Sequence, residues 1–169
     1  MAASLTVISD TSPLRYLIAI DRTELLESIF FHVLIPRGVK RELTHPSAPE
    51  SVREWIRQMP PWLEVRDLES PPRPELARRL DPGEAEAIQL AIDVRADFLL
   101  IDERRGHQMA AGRGVTVIGA LAIVLESYRR NYVDDPLQRL EELRAARFRV
   151  SRRLVRGFEE EVRLIKAGR

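Results

Sequence analysis

The 169-residue sequence contains no cysteine and only three histidines. Without cysteine the chain can form no disulfide, no thiol nucleophile and no cysteine-ligated zinc site. The histidines, His32, His45 and His107, show no spacing typical of metal ligands. Thiol catalysis and cysteine-ligated zinc are therefore excluded, and the lack of disulfides agrees with a reducing compartment.

Long hydrophobic runs are also missing, since no segment approaches the about 18 uninterrupted apolar residues of a membrane-spanning helix. The N-terminus lacks a basic region followed by an apolar stretch and a small-residue cleavage site. We therefore expect a cytoplasmic protein that does not contact the membrane. A hydrophobic content of 44% suffices for one buried core, so we expect a single domain over residues 1–169.

Lysine is scarce, because only Lys40 and Lys166 occur and the other 25 of the 27 basic residues are arginine. Residues 1–135 carry 17 basic and 21 acidic side chains, whereas residues 136–169 carry 10 basic and 5 acidic ones. The planar guanidinium of arginine suits phosphate groups. The basic tail can thus bind a phosphate backbone or an acidic protein surface, or it can be a solvated helix face. Codon bias is the alternative explanation for the preference for arginine along the chain.

Short apolar runs alternate with helical patterns along the chain. This alternation predicts an α/β fold with a parallel sheet of four or five strands. Two further helices, at about 136–146 and 151–166, are predicted beyond the last strand. The predicted strands are 5–9, 33–35, 63–65, 98–101 and 115–118.

Two of the predicted strands end in aspartate, since Asp10 follows LTVIS and Asp102 follows FLLI. Parallel strands expose their carboxyl ends on one edge of the sheet, so we expect both carboxylates there. Each has a simpler explanation, as a helix cap for Asp10 and a turn former for Asp102. Ser12 before Pro13 is the better N-cap, however, and it predicts a first helix that begins at Pro13.

Two glutamates are expected at the same edge. Glu42 ends the short helix PRGVKREL, and Glu84 stands in the first turn of the helix DPGEAEAIQLAIDV, whose predicted N-cap is Asp81. Singly, Glu42 fits a solvated helix face and Glu84 fits the helix dipole. Together with Asp10 and Asp102 they would form a cluster of like charges that needs a cation. The all-oxygen ligand set predicts Mg²⁺ or Mn²⁺.

Five segments follow one another along the chain: VISDTSPL, IPRGVKREL, LDPGEAEAIQLA, FLLIDERRGHQMA and GVTVIGALAIVL. In these segments the sequence resembles the PIN-domain ribonucleases, in particular the VapC-like branch with a GEAEAI segment. The resemblance covers about residues 5–130 and implies a three-layer α/β/α sandwich that hydrolyses RNA phosphodiester bonds with a divalent metal. A basic helical extension at about 136–169 follows this core.

The resemblance also implies roles for individual residues. Asp10, Glu42, Glu84 and Asp102 would hold the metal and carry catalysis, and Ser12 would place a hydroxyl near the metal or the substrate. It further implies a small antitoxin partner that inserts into the cleft, so the protein would be the toxin of a toxin–antitoxin pair. A homodimer is a further expectation, since relatives commonly dimerise.

The third acid is ambiguous, because many family members have aspartate there and this chain offers Glu84 and Glu86. Residues two apart on a helix point about 200° apart, so both cannot face one metal closely. Glu84 is preferred because it shares a helix face with Ile88 and Ala91 and lies nearest the helix start. Glu86 is the reserve candidate.

Clustered acids repel RNA, so nearby cations must supply affinity. Arg15, Arg104 and Arg105 lie near the strand ends in the sequence and are candidates for this role. Arg152 and Arg153 in the basic tail are further candidates.

Two alternatives remain beside the ribonuclease. A haloacid-dehalogenase-type phosphatase also starts from an aspartate after its first strand, but it expects a second aspartate two residues later, where Ser12 stands. A PIN-like binding module that has lost catalysis would keep the fold without the activity. A phosphoacceptor receiver domain is disfavoured, because VTVIGA supplies no lysine after the last strand.

Overall fold

Five short parallel strands form the centre of the fold in the computed structural model, which describes residues 5–168. Each strand is short and dominated by apolar residues, as expected for strands covered on both faces. The order across the sheet is β3-β2-β1-β4-β5, and every pairing is parallel. In chain order the strands are β1 (Val7–Ser9), β2 (Val33–Ile35), β3 (Leu63–Val65), β4 (Phe98–Leu100) and β5 (Val117–Ile118).

Helices flank the sheet in a three-layer α/β/α arrangement. Within residues 5–168, none of them has both the length and the apolar character that crossing a bilayer requires. The helices up to the last strand are α1 (Thr11–Ala19), α2 (Glu24–Phe30), α3 (Arg37–Thr44), α4 (Glu50–Arg57), α5 (Pro74–Ala77), α6 (Pro82–Asp93) and α7 (Arg104–Ala111). After β5 come α8 (Ala120–Arg129), α9 (Pro136–Ala145) and α10 (Arg152–Ala167).

The direction in which the strands are added reverses between β1 and β4. The chain adds β2 and then β3 on one side of β1, and it adds β4 and then β5 on the other. The backbone N–H of Asp10 still donates to the Leu100 carbonyl at 2.9 Å, so the pairing of these two strands continues to their carboxyl ends. Such a reversal opens a crevice beyond the strand ends, where α/β proteins bind their ligands.

Two hydrophobic cores lie in the described residues. The larger one surrounds the sheet and includes fully buried Ile8, Ile35 and Leu99. The smaller one joins α8 to α9 and α10 through residues such as Leu143 and Phe158. The C-terminal helices are thus a packed part of the structure, as expected from their apolar periodicity.

The structure confirms the parallel sheet and all five predicted strands, with bounds that differ by up to two residues. The predicted start of the first helix is wrong: α1 begins at Thr11, so Ser12 lies in its first turn and is not the N-cap. The chain leaves β1 at Ser9 and turns directly into the helix, which leaves extended Asp10 (φ −76°, ψ 172°) at the N-cap position. The four-residue helix α5 was not predicted, because prolines surround it.

Candidate metal centre

Asp10 is a buried carboxylate without a full set of partners. Only 1% of the residue is exposed, and its side chain forms no capping hydrogen bond although it stands at the N-cap of α1. The Ser12 hydroxyl lies 3.5 Å from Oδ2, and Oδ1 has no partner among the described residues. Burial raises the pKa of Asp10 to about 7, and the charges of Glu84 and Glu42 also raise it. The backbone N–H groups of Thr11 and Ser12 lower this pKa, but they do not offset the effect of burial.

Glu84 is the second buried carboxylate, and it serves the start of α6 with only one of its oxygens. Its Oε2 accepts from the Asp81 backbone N–H at 3.3 Å, which completes the reciprocal capping box of that helix. Its Oε1 is buried and has no partner among the described residues. Burial is the largest cause of its raised pKa, and the negative charges of Asp81, Glu103 and Glu42 add to it.

Glu42 ties three helices together at the same place. Its Oε2 accepts from the Thr11 hydroxyl at the start of α1, and its Oε1 accepts from the Gly83 backbone N–H at 2.9 Å at the start of α6. A Cβ at position 83 would collide with this carboxylate. Because Gly83 has no side chain, α6 can approach Glu42 closely enough for this hydrogen bond to form.

Asp102 follows β4 and is held by the start of α8. Its Oδ1 accepts from the Ala120 backbone N–H at 2.9 Å, while its Oδ2 is buried without a partner among the described residues. Burial raises the pKa of Asp102 to about 6, and the charge of Glu103 adds to the shift. A Cβ at Gly119 would lie 2.6 Å from Oδ1, so a side chain there would force this carboxylate to shift.

A cleft of about 480 Å³ opens beyond the ends of β1 and β4. Asp102 is not one of its lining residues, although the adjacent Glu103 is. The acidic lining residues are Asp10, Glu42, Asp81, Glu84 and Glu103. The arginines that line it are Arg15, Arg79, Arg104 and Arg105.

The acids and the arginines of this cleft do not neutralise one another. Among residues 5–168, none of these nine side chains takes part in an ion pair within 4.0 Å. Elsewhere in the same range, acids such as Glu86 and Glu126 contact arginines at 2.6 Å. The cleft therefore keeps both its negative and its positive groups available to a ligand.

The chemistry of the donor set fits a hard divalent cation. Asp10, Glu84 and Asp102 each leave one buried oxygen without a partner, and oxygen ligands are those that Mg²⁺ and Mn²⁺ prefer. In the described part of the chain, no three Asp, Glu or His side chains lie close enough together to hold a metal ion as they stand. Glu42 is held by Thr11 and Gly83, and each of its oxygens accepts one hydrogen bond, which leaves lone pairs free on both.

The structure separates the two candidates for the third acid. Glu84 lines the cleft, whereas Glu86 contacts α3, where it accepts from the Gly38 backbone N–H and from Arg41, each at 2.6 Å. Their positions two residues apart on α6 point them to these different surroundings. Glu84 is therefore the one that lies beside Asp10.

The arginine candidates fall into two groups. Arg15, Arg104 and Arg105 line the cleft, as their closeness to the strand ends in the sequence predicted. Arg152 and Arg153 are exposed on α10 and are not among the residues that line it. Their proposed contact with RNA therefore stays a prediction.

Sequence reasoning missed four residues of the cleft, one of which, Asp81, was predicted only as the N-cap of α6. Thr11 donates to Glu42, Glu103 lines the cleft and raises the pKa of Asp102, and Arg79 enters from the segment before α6. The pair of acids in IDERR was a usable signal for Glu103. Arg79 carried no such signal, because it lies in a polar stretch with no periodicity.

Comparison with known proteins agrees with this architecture. The chain resembles a solved PilT N-terminus domain protein from the hyperthermophilic archaeon Sulfolobus solfataricus P2, with 17% sequence identity and a TM-score of 0.54. The match covers 73% of this chain and 93% of the other, and at this identity it concerns the fold alone. The chain matches none of the curated proteins with which it was compared. The model of the PIN-domain family DUF3368 matches residues 6–163, and the chain therefore belongs to that family.

Proposed function

We propose that this protein is a divalent-metal-dependent endoribonuclease that hydrolyses phosphodiester bonds in RNA. PIN domains are generally nucleases that use divalent ions, which supports the reaction class. The observation that carries the proposal is the set of three buried, partnerless carboxylate oxygens on Asp10, Glu84 and Asp102 beside a cleft with unpaired arginines. Desolvated charges of this kind destabilise a fold unless a ligand compensates them.

Four acids would hold the ion, namely Asp10, Glu42, Glu84 and Asp102. A bound Mg²⁺ or Mn²⁺ supplies a water of lowered pKa and positive charge at the scissile phosphate. Glu42 also fixes the starts of α1 and α6, because it accepts from Thr11 and from Gly83. It therefore sets the width of the cleft in addition to any contact with the ion.

The arginines of the cleft would bind and orient the phosphate backbone. Arg15, Arg104 and Arg105 have no carboxylate partner within 4.0 Å among the described residues, so no ion pair has to break before a phosphate binds. Guanidinium groups bind phosphate through two parallel hydrogen bonds. The Ser12 hydroxyl, 3.5 Å from Asp10 Oδ2, would orient that carboxylate.

Asp10 also gives the site a dependence on pH. With a pKa of about 7, its carboxyl group holds a proton for part of the time near neutrality. A cation competes with that proton for the carboxylate. We therefore expect the divalent ion to bind more weakly and cleavage to slow as the pH falls below about 7.

The test is cleavage of a panel of labelled single-stranded RNAs with Mn²⁺, with Mg²⁺ and with EDTA. We expect cleavage only with a divalent ion and its loss in Asp10→Asn, whereas Asp134→Asn, an exposed aspartate outside the cleft, should behave as wild type. Matched DNA strands test the preference for RNA. Equal cleavage by Asp10→Asn and wild type would contradict the proposal, and phosphate release from a phosphomonoester without RNA cleavage would favour the phosphatase alternative.

We further propose that the basic tail adds affinity for RNA through Arg152 and Arg153. Both are exposed, and neither has an ion-pair partner within residues 5–168. Replacing both with glutamine should weaken RNA binding and flatten its salt dependence, by a slope of about 0.7 for each lost contact with a single-strand phosphate. Unchanged affinity at low and high salt would leave the two arginines a structural role.

The VapC-like motifs support a further proposal, that the protein is the toxin of a toxin–antitoxin pair in the cytoplasm. A small antitoxin would occupy the cleft and block the four acids. Expression of the chain alone should then stop growth of its native host, and a small protein should co-purify with it. Harmless expression together with no small partner would contradict the toxin role and leave the nuclease proposal intact.

A further inference from the structure

A second cavity, of about 240 Å³, adjoins the acidic cleft. The two share Ser12, Arg15 and Glu103, so a ligand can extend from one into the other. The far wall of this side cavity includes Arg147, which belongs to the segment between α9 and α10. The C-terminal extension therefore reaches the edge of the cleft in space, although it follows the sheet in sequence.

The segment between α9 and α10 is held against α1. The Phe148 backbone N–H donates to the Leu143 carbonyl at 2.9 Å, and the preceding Arg147 takes a left-handed conformation with φ 67°. This turn directs the Phe148 ring to the ring of Tyr16 on α1, with centroids 5.0 Å apart and planes at 81°. Tyr16 itself lines the side cavity.

Two arginines and one acid, Glu103, line the side cavity around Tyr16. Arg15 and Arg147 line the cavity, are exposed and have no ion-pair partner within residues 5–168. Arg149 lies near enough to lower the pKa of Tyr16, which burial and the charges of Asp102 and Glu103 raise. The Tyr16 hydroxyl has no hydrogen-bond partner among the described residues.

The cavity that adjoins the cleft through Glu42 and Thr11 differs in this respect. Its cation besides Arg15 is Arg41, which is paired with Glu86 at 2.6 Å. Of these two cavities, the one at Tyr16 therefore combines an aromatic ring with two arginines that have no ion-pair partner within residues 5–168. Single-stranded nucleic acids bind to this combination, because bases stack on aromatic rings and phosphates contact arginine.

We propose, on the basis of the ribonuclease function above, that the side cavity is a subsite for one nucleotide of single-stranded RNA next to the scissile phosphate. Arg15 and Arg147 would contact its phosphate, and the ring of Tyr16 would contact its base. A paired base inside a duplex cannot reach such a cavity, so the subsite selects unpaired RNA. The C-terminal extension would then be part of the substrate-binding surface.

The experiment is a series of labelled oligoribonucleotides that extend by one nucleotide at a time on either side of the cleaved bond. For wild type, kcat/KM should rise about tenfold when the strand becomes long enough to enter the subsite. The double variant Arg147→Asn, Arg149→Gln should lose this rise and keep its activity on the shortest substrate within about twofold. Asparagine suits position 147 because it tolerates a positive φ.

The matched control is Arg144→Gln, which removes a charge from α9 at a residue that is paired with Glu141 at 2.8 Å and does not line the cavity. This variant should keep the full dependence on length. A double variant that also keeps it would overturn the subsite, as would equal loss on short and long substrates, which indicates a structural role.

Binding of the same RNAs in EDTA, measured by fluorescence anisotropy, separates the subsite from the proposed nuclease. If wild type cleaves no RNA, the ribonuclease proposal fails. The subsite is then decided by whether affinity rises with strand length in wild type and fails to rise in the double variant. An equal rise in both proteins would overturn it.

Discussion

Aspartate stands at a helix N-cap both in the acidic cleft and in the C-terminal helices, but its hydrogen bonding differs between the two regions. Asp135 at the N-cap of α9 accepts from the Gln138 backbone N–H at 2.9 Å, as a capping residue does. Asp10 stands at the N-cap of α1, makes no capping hydrogen bond and leaves Oδ1 without a partner among the described residues. An aspartate thus stabilises its helix in one region, and in the other it stays buried and unsatisfied.

The two regions also differ in whether their buried charges are paired. Arg139 and Glu142 on α9 each have a buried atom without a hydrogen bond, but their charges are 3.0 Å apart and neutralise each other. Asp10 and Asp102 have no such partner, and burial raises the pKa of both. Unpaired buried charge costs stability, so the buried acids at the cleft destabilise the fold in a way that the paired residues of α9 do not.

The largest expected effect comes from a matched pair of substitutions on α6. Glu84→Gln should reduce metal-dependent cleavage by about 100-fold or more, because a lost ligand to the ion removes several kcal/mol of transition-state stabilisation. Glu86→Gln should change cleavage by less than about twofold, since Glu86 contacts Gly38 and Arg41 outside the cleft. Initial rates on one RNA at saturating Mn²⁺ decide the comparison. Equal rates for the two variants would remove the distinction between the two glutamates.

The next effect concerns pH and the metal-free protein. The pKa of Asp10 rises from 3.8 to about 7 on folding, so between these values the folded state binds more protons than the unfolded state. The contribution of Asp10 to stability is therefore complete below about pH 4 and is lost as the pH rises through 7, by at most about 1.4 kcal/mol per pH unit.

Chemical denaturation in EDTA from pH 4 to 8 measures this dependence. Asp10→Asn should flatten the fall in unfolding free energy over that range, whereas Asp134→Asn should leave it unchanged. Parallel curves for Asp10→Asn and wild type would show that the buried carboxylate does not cause the pH dependence.

A third comparison uses the same substitution in both regions. In Gly119→Ala the new Cβ would lie 2.6 Å from Asp102 Oδ1, so we expect a loss of about 1–3 kcal/mol in unfolding free energy together with reduced cleavage. In Gly157→Ala on α10 the Cβ meets no atom within 4 Å, and the better helix propensity should stabilise the protein by about 0.5–1 kcal/mol. Urea denaturation measures both changes. A neutral Gly119→Ala would indicate that Asp102 has room to move.

The smallest effect is expected at the satisfied N-cap. Asp135→Ala should lower the unfolding free energy by about 1 kcal/mol, because it removes the hydrogen bond from Gln138, and it should leave cleavage unchanged. Urea denaturation and the RNA cleavage assay measure the two quantities. A loss of cleavage without a loss of stability would contradict this prediction, because it would show that Asp135 affects the cleft directly.

The sequence was sufficient to predict the sheet and the edge at which its acids lie. Alternating apolar runs and helical patterns predicted a parallel sheet of four or five strands, and the structure has five. Asp10 and Asp102 followed from the ends of two of them. The order of the strands was not predictable, because it depends on long-range pairing, such as that of Ile8 with Leu34 and Leu99. The crevice between β1 and β4 could therefore be identified only from the structure.

Local rules failed where the chain turns sharply. Ser12 before Pro13 has the pattern of a helix start, yet the helix already begins at Thr11, because β1 ends at Ser9 and leaves no residues for a loop. The side cavity was equally beyond sequence reasoning, since Arg147 and Tyr16 are brought together only by the packing of the C-terminal helices. Charge counting identified the basic tail, but it could not show which arginine reaches the cleft.

We propose that Asp10 stays buried and unsatisfied in order to bind a divalent ion. Thermal unfolding with and without Mn²⁺, for wild type and Asp10→Asn, tests it most directly. Wild type should gain about 2.7 kcal/mol in unfolding free energy at a Mn²⁺ concentration of 100 times Kd. Asp10→Asn should unfold no more easily than wild type in EDTA and should lose most of that gain. An equal gain with Mn²⁺ in both proteins would contradict the account.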